Sequence, residues 1–171
     1  MSLGAYSKKR NFKDTPEPEA KKTEDKSTLI FVVQRHHASH LHYDFRLELN
    51  GTLKSWAVPK GPSLNPEDKR LAVMVEDHPL DYQNFEGIIP KGNYGAGTVM
   101  VWDSGVYTPV NLDKFDSKDI TRTTAEKILN KQLEKGHLTF VLLGKKLKGE
   151  FALVKTGFEK NSWLLIKKGD A

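Results

Sequence analysis

The 171-residue sequence contains no cysteine. Disulfides, thiolate nucleophiles and sulfur-ligated zinc or iron–sulfur sites are thereby excluded, so any metal must be held by His, Asp or Glu. Long apolar runs are also missing: FVV and VLL fall far short of the roughly 20 residues that cross a bilayer as a helix. No basic start leads into an apolar stretch near Met1, and the expectation is a soluble cytoplasmic protein with no membrane partner. No repeat of fixed period occurs. The Gly-rich KGNYGAG at 91–97 follows no βαβ pattern and lacks the Lys-Ser/Thr ending of a phosphate loop, so it reads as a turn. The length and the 37% hydrophobic content suit one core of ordinary size. The net charge of +5 and pI near 9.2 admit a polyanionic partner without establishing one.

Two regions differ in character. Residues 1–28 hold seven basic and five acidic side chains with almost nothing to bury, which predicts a mobile basic N-terminal tail. From 29 to 171, strand-length segments rich in Val, Ile, Phe, Trp and Tyr recur between Gly, Pro and Asn punctuation: LIFVVQ, LHYDFRLEL, LKSWAV, RLAVMVED, GTVMVWD, GVYTPV, HLTFVLL, GEFALVK and SWLLIKK. The pattern predicts a mainly β domain, a closed or partly open barrel of about eight strands with one or two flanking helices. One helix is expected to start at Thr123, with Glu126 at capping-box spacing, and to stop at Gly136 over a barrel opening. Asn50-Gly51 signals a two-residue hairpin turn. Strict pairing from it would put Lys54 on the face of Leu47, so a bulge or a longer turn is expected there.

The segment RHHASHLHYDFRLELNG, residues 35–51, carries the chemistry. As a strand, 41–49 places Leu41, Tyr43, Phe45, Leu47 and Leu49 on one face and His42, Asp44, Arg46 and Glu48 on the other. A slip by one residue would bury the four polar groups together, so the polar row must face out of the barrel. Side chains at i and i+2 let His42 and Asp44 converge on one ion while Arg46 reaches an anion beside it. The third ligand is open among His36, His37 and His40, which lie in or near the preceding bend. Imidazole and carboxylate donors suit manganese, iron(II) or zinc. The same histidines could instead be solvated surface groups, but the ordered His-x5-His-x-Asp-x-Arg spacing favours a site.

A second cluster, VEDHPLDYQNFEG at 75–87, offers His78 before Pro79 and then Tyr82. Both can bind phosphate oxygens, and an imidazolium can protonate a leaving alkoxide; a turn cap with Tyr82 packed beneath it is the structural alternative. Glu76, Asp77, Asp81 and Glu86 read as a solvated acidic rim, Lys145, Lys146 and Lys148 as an exposed strand end, and Trp56, Trp102 and Trp163 as core.

QRHHASHLHYDFRLELNGTLKSWAVPKGPS, LAVMVEDHPLDYQNFEG and IPKGNYGAGTVMVWDSG together closely resemble the 3′-phosphoesterase module of bacterial DNA ligase D and its stand-alone relatives. The match is dense from about residue 29 to 107; KKRNFKDTPEP resembles the family's amino-terminal segment, and the carboxy-terminal strands match more loosely. The resemblance implies an active site on the outer surface of the barrel, a Mn2+ ion held by His36, His42 and Asp44, and a scissile phosphate engaged by Arg46, His78 and Tyr82 as catalytic residues. Co2+ and Zn2+ are other ions the site could take. Further substrate contacts implied by the motifs are Gln34, Lys60, Arg70, Glu76 and, in the tail, Glu17. Asn11 stands where the family pattern has Asp, which puts the tail-dependent activity in doubt. The implied function is healing of DNA 3′ ends at primer-template junctions or double-strand breaks. A phosphodiesterase step removes a terminal ribonucleoside, and a phosphomonoesterase step removes the 3′-phosphate, leaving a 3′-OH for repair by end joining. Ku, polymerase and ligase are the implied partners, in a cytoplasmic, nucleoid-associated setting. Water is the favoured nucleophile over a covalent phosphohistidine, and no residue is singled out as base. The start at Met1 favours a stand-alone protein over a module of a longer ligase.

Two other readings compete. His42-x-Asp44 with a distant His78 imitates the facial triad of an iron(II)/2-oxoglutarate oxygenase, but the stretch after His78 lacks the arginine that would hold the cosubstrate. A non-catalytic DNA-end-binding barrel would be marked by a missing ligand, and none is missing.

Overall fold

The protein, seen in a computed structural model, is described over residues 3–18, 28–110 and 121–169. Helix α1 (Leu3–Lys8) precedes strands β1 (Leu29–His37), β2 (Leu41–Leu49), β3 (Thr52–Val58) and β4 (Lys69–Pro79). A 3₁₀ turn (Leu80–Asn84) leads to β5 (Gly87–Ile89) and β6 (Gly97–Pro109). Helix α2 (Arg122–Lys135) and strands β7 (His137–Gly144), β8 (Lys148–Lys155) and β9 (Ser162–Lys167) complete the chain. The sheet order β1-β2-β3-β4-β9-β8-β7-β6 closes through β1–β6 pairing, and β5 extends β6 on the outside. This is the expected mainly β architecture: a closed eight-stranded antiparallel barrel, one added strand and two helices. The expected segments GTVMVWD and GVYTPV form one strand, β6. Gly105, at their junction, passes so close to the Leu143 carbonyl that a Cβ there would overlap it. Among the described residues, no helix is long and apolar enough to cross a membrane.

Inside the barrel, Phe31, Val33, Phe45, Leu47, Trp56, Phe140, Phe151 and Leu153 form a fully buried core. Leu129 and Leu133 of α2 join it beside Leu138 and Tyr107, so the helix closes one barrel end as expected. Its N-cap is Thr121 rather than Thr123: the Thr121 hydroxyl accepts from Thr124 N at 3.2 Å. Glu126 is thereby freed to accept from Asn50 N at 2.6 Å, tying the helix to the β2–β3 turn. Gly136 stops the helix in the left-handed conformation, φ 75°.

The irregularity expected between β2 and β3 lies instead on the other side of β3. Asn50 and Gly51 have φ 56° and 78°, a two-residue turn that pairs Leu47 directly with Lys54. The register instead shifts between β3 and β4, where Leu53 faces His78 and Ser55 faces Val75. Two residues of β4, Glu76 and Asp77, therefore oppose the single Lys54. Ala72 and Met74 point into the barrel core, and strict alternation would send His78 there too. The extra residue inverts the alternation: Asp77 turns to Lys54 Nζ at 2.9 Å, while Glu76 and His78 emerge on the outer face.

Residues 3–18 lie against that outer face. Tyr6 is buried with Leu53, Leu80, Tyr82, Phe85, Ile89 and Val99, and Thr15 and Glu17 are buried nearby. The expectation that this segment has almost nothing to bury does not hold for these residues. The boundary placed at residue 28 adjoins residues 19–27, which lie outside the described residues.

Asp77 is buried and Lys54 largely so, and removing the lysine strands a buried carboxylate. Lys54→Ala is expected to lower unfolding free energy by about 3–5 kcal/mol in a denaturant titration. Lys54→Met with Asp77→Asn should recover most of that loss; equal losses in both variants would show that the pair does not hold the bulge.

Candidate active site

The β1–β2 ribbon assembles the candidate metal-ligand cluster by register. His36 lies directly across from His42, and Gln34 across from Asp44, with all four side chains on the outer face. His36 is thus a strand residue, and the bend comes after it. Ligand atoms of His36, His42 and Asp44 all lie within 4.8 Å of one another. His36 Nδ1 stands 3.4 Å from Asp44 Oδ2, and His42 Nε2 stands 3.2 Å from Asp44 Oδ1. The remaining ring nitrogens face backbone carbonyls, His36 Nε2 at 2.6 Å from Gly95 O and His42 Nδ1 at 3.3 Å from His40 O. Those outer contacts fix both ring orientations, with one nitrogen of each turned to the carboxylate, which is how histidine ligands are held. Hydrogen bonding to Asp44 raises the His42 pKa above the ordinary 6.5. Burial opposes the charge on Asp44, but hydrogen bonds from His36 and His42 and the field of Arg46 hold its carboxyl far below the usual carboxylate range. A divalent cation taking the place of the shared protons suits this donor set.

Arg46 lines the same cavity beside this cluster. Its Nε donates to Gln34 Oε1 at 2.7 Å, and Gln34 Nε2 donates to the carbonyls of Tyr82 and Phe85 at 2.7 and 3.1 Å. The guanidinium lies over the Tyr82 ring, 4.8 Å from its centroid, and is 3.5 Å from Asp44 Oδ2. Arg46 Nη1 is buried without a hydrogen-bond partner among the described residues. A buried donor left unmatched is costly, and one beside a cation site suits an anion.

His78 borders the same cavity as His36, Asp44 and Arg46. Burial, then the positive charges of Arg46 and Arg10, push its pKa well below 6.5, so it is neutral. Nδ1 donates to Glu76 O at 2.9 Å, and Nε2 accepts from Arg10 Nη2 at 3.2 Å. Tyr82 is buried, which raises its pKa well above 10.0, and its hydroxyl donates to Glu17 Oε2 at 2.8 Å.

Arg10 joins the N-terminal segment to the barrel, pairing with Glu17 at 2.8 Å and Glu76 at 3.2 Å. Lys9 reaches Glu76 Oε2 at 3.1 Å. Glu76 and Asp77 are therefore buried ion-pair partners and not the solvated rim expected for them, whereas Asp81 and Glu86 are exposed. Sequence reading missed Arg10, Lys9, Tyr94 and Gly95, all at or beside the cavity. The KKR run at 8–10 read as solvated charge, because nothing in the run itself announces its buried partners Glu17 and Glu76.

Other expected contacts lie apart. Lys60 and Arg70 line a separate depression with Asp68, to which Arg70 Nη2 donates at 3.3 Å. Asn11 is exposed in a local turn, its side-chain Oδ1 accepting from Lys13 N at 3.2 Å. Glu48, last of the polar row, binds Arg122 of α2 at 2.7 Å and takes no part in the cavity. His37 and His40 are exposed and outside the ligand cluster. The oxygenase-like triad fares poorly, because His36 completes the set and His78 Nε2 faces Arg10.

The chain matches the family model of the DNA ligase D 3′-phosphoesterase domain over residues 34–155. It is 52% identical, over 98% of its length, to the multifunctional non-homologous end joining protein LigD of Pseudomonas aeruginosa. Identity is 44% over 95% of the chain to the Mycobacterium tuberculosis LigD DNA repair protein and 40% over 98% to the Mycolicibacterium smegmatis LigD protein. These matches cover 19%, 19% and 21% of the relatives' own lengths, so the chain spans about a fifth of each. The family-model match and the 52% identity along nearly the whole chain, on a barrel whose candidate ligand cluster adjoins the partnerless Nη1 of Arg46, place this chain in the DNA ligase D 3′-phosphoesterase domain family.

Proposed function

We propose that the chain heals DNA 3′ ends as a manganese-dependent phosphoesterase, first releasing a 3′-terminal ribonucleoside from a primer-template and then the 3′-phosphate, to leave a 3′-OH. The observation that carries this reading is the juxtaposition of the His36, His42 and Asp44 ligand atoms, within 4.8 Å of one another, with the unpartnered Nη1 of Arg46. Breaks awaiting end joining, with Ku, polymerase and ligase as fellow participants, are the proposed setting.

His36, His42 and Asp44 would hold the ion, which when bound would act as a Lewis acid toward the phosphoryl group. Arg46 offers Nη1 to a nonbridging phosphate oxygen from a position preset by Gln34 and the Tyr82 ring. Donors fixed before the reaction stabilise charge building on those oxygens without the cost of reorienting. Neutral His78 presents Nε2 as an acceptor. An arriving phosphate offsets the two guanidinium charges that depress its basicity, so Nε2 takes a proton from solvent in place of its bond from Arg10 and becomes a donor. As water attacks phosphorus and the ester bond breaks, that proton passes to the leaving oxygen, and the attacking water gives up one of its own protons to solvent. Tyr82 can redirect its hydroxyl from Glu17 to the phosphate, which couples the N-terminal segment to substrate binding.

On a labelled primer-template ending in one ribonucleotide, wild type with Mn2+ should give the 3′-phosphate product and then the 3′-OH. His42→Ala and Asp44→Asn should abolish both products while keeping the wild-type circular dichroism. Arg46→Lys should slow turnover by about 10²–10³-fold, as loss of a preset donor does; near-normal turnover in any of the three would remove that residue from the site.

The raised His42 pKa also sets a pH dependence. Because a proton and the cation compete for Nε2, Mn2+ affinity measured by calorimetry should climb as pH rises through and above 6.5, levelling once His42 is deprotonated. The apo protein should respond in the opposite sense, losing the stability contributed by protonated His42 as pH rises through the raised value. A flat affinity profile across this range would exclude His42 as a ligand.

A further inference from the structure

The two faces of the β1–β2 ribbon differ in chemistry, and the face opposite the ligand cluster packs against the barrel core while its edge reaches the surface. At the barrel end away from α2, Tyr43 and Trp102 pack edge to face, with centroids 5.5 Å apart, and both are half-buried. Trp102 is placed there by a second bulge. Val33 faces Asp103 and Gln34 faces Val101, so Trp102 is the unpaired extra residue of β6. Lys146 Nζ sits over the indole at 4.4 Å from its centroid. The turn bearing Lys145 and Lys146 is pinned by buried Asp103, whose carboxylate accepts from the backbone N–H groups of Lys145, Lys146 and Leu147 at 2.8, 3.2 and 2.8 Å. Arg35 lies directly across from Tyr43 on one side and Met100 on the other, and is exposed. No ion pair joins Arg35, Lys145 or Lys146 to another described residue.

We infer that this barrel-end face binds the single-stranded segment of the complementary strand that extends past the 3′ end under repair. Stacking surfaces interleaved with unpaired cations are what single-stranded nucleic acid requires: aromatic faces accept bases, and cations take the phosphates. The fixed turn keeps two of those cations beside the indole, and a base stacking there would displace Lys146 toward the backbone. His36 and His42 occupy one face of the ribbon near its tip while Arg35 and Tyr43 occupy the other. The ribbon therefore divides the two strands at a primer terminus, the 3′ end on the ligand side and the overhang on the aromatic side. This inference rests on the proposed DNA-end substrate and adds to it a site for the partner strand.

Arg35→Glu with Lys146→Glu tests it, since both residues are exposed and neither belongs to the site of hydrolysis. Fluorescence anisotropy without metal would compare a primer-template carrying a 5′ overhang with a blunt duplex of the same length, and a Mn2+ assay would follow a short single-stranded 3′-phosphate oligonucleotide. The variant should bind the overhang substrate at least about tenfold more weakly and flatten the log–log salt dependence by about two, as loss of two phosphate contacts would. Its binding to the blunt duplex and its hydrolysis of the short oligonucleotide should match wild type. Equal overhang binding by variant and wild type, or equal weakening on both duplexes, would overturn the inference. Wild type that prefers the overhang but never releases phosphate would support this surface while overturning the phosphoesterase reading.

Discussion

Asp44 keeps its charge although it lies almost wholly out of contact with solvent, because two imidazole nitrogens and a guanidinium converge on its two oxygens. Isolated charge at that depth is prohibitively costly, so the residues around Asp44 are constrained to supply positive character and hydrogen bonds. His36 and His42 meet it because the two strands pair residue for residue, and each ring is steadied from behind by a carbonyl. Arg46 is oriented by Gln34, which in turn grips the backbone of the turn carrying Tyr82. A packed, apolar barrel interior supports the arrangement from below: Phe45 sits between Asp44 and Arg46 in sequence and is fully buried against Trp56 and Phe140.

Two single-residue bulges add what regular strands cannot. The one at Glu76 and Asp77 reverses the alternation of β4, so that His78 emerges beside Arg46 instead of entering the core. The one at Trp102 brings an extra side chain to the barrel end. The N-terminal segment then covers the outer face, and the carboxylates Glu17 and Glu76 balance the guanidinium of Arg10, which also contacts His78. Charge on this face is thus arranged in alternating layers, each buried group neutralised by the next.

The alternation of β2 was legible because a strand with one apolar face against the core admits only one register, and the run from Tyr43 to Leu49 has no exception; Leu41, at the strand end, is partly exposed, and Asp44, Arg46 and Glu48 on the polar face are buried as well. Barrel closure followed from the number and spacing of strand-like segments. The N-terminal segment was not legible, since it is held mainly by ion pairs and by two aromatics, Tyr6 and Phe12, and a charged run reads as solvated until its partners are known. Nor could the side taken by His78 be read, because nothing in VEDHP announces the extra residue that flips it. The start of α2 lay two residues earlier than expected because Thr121, Thr123 and Thr124 are all competent caps, and Glu126 is used by Asn50. Long motifs identified the family where local patterns could not.

The central claim is that one cation sits among His36, His42 and Asp44 with a phosphate held against Arg46. Its most direct test is a crystal structure of the protein grown with Mn2+ and a phosphate mimic, using anomalous scattering to locate the ion. The account predicts one strong peak within coordination distance of His36 Nδ1, His42 Nε2 and an Asp44 oxygen, with the mimic on Arg46 Nη1. A peak bound instead by Glu17, Glu76 or His78, with the three expected ligands turned away from it, would contradict the account.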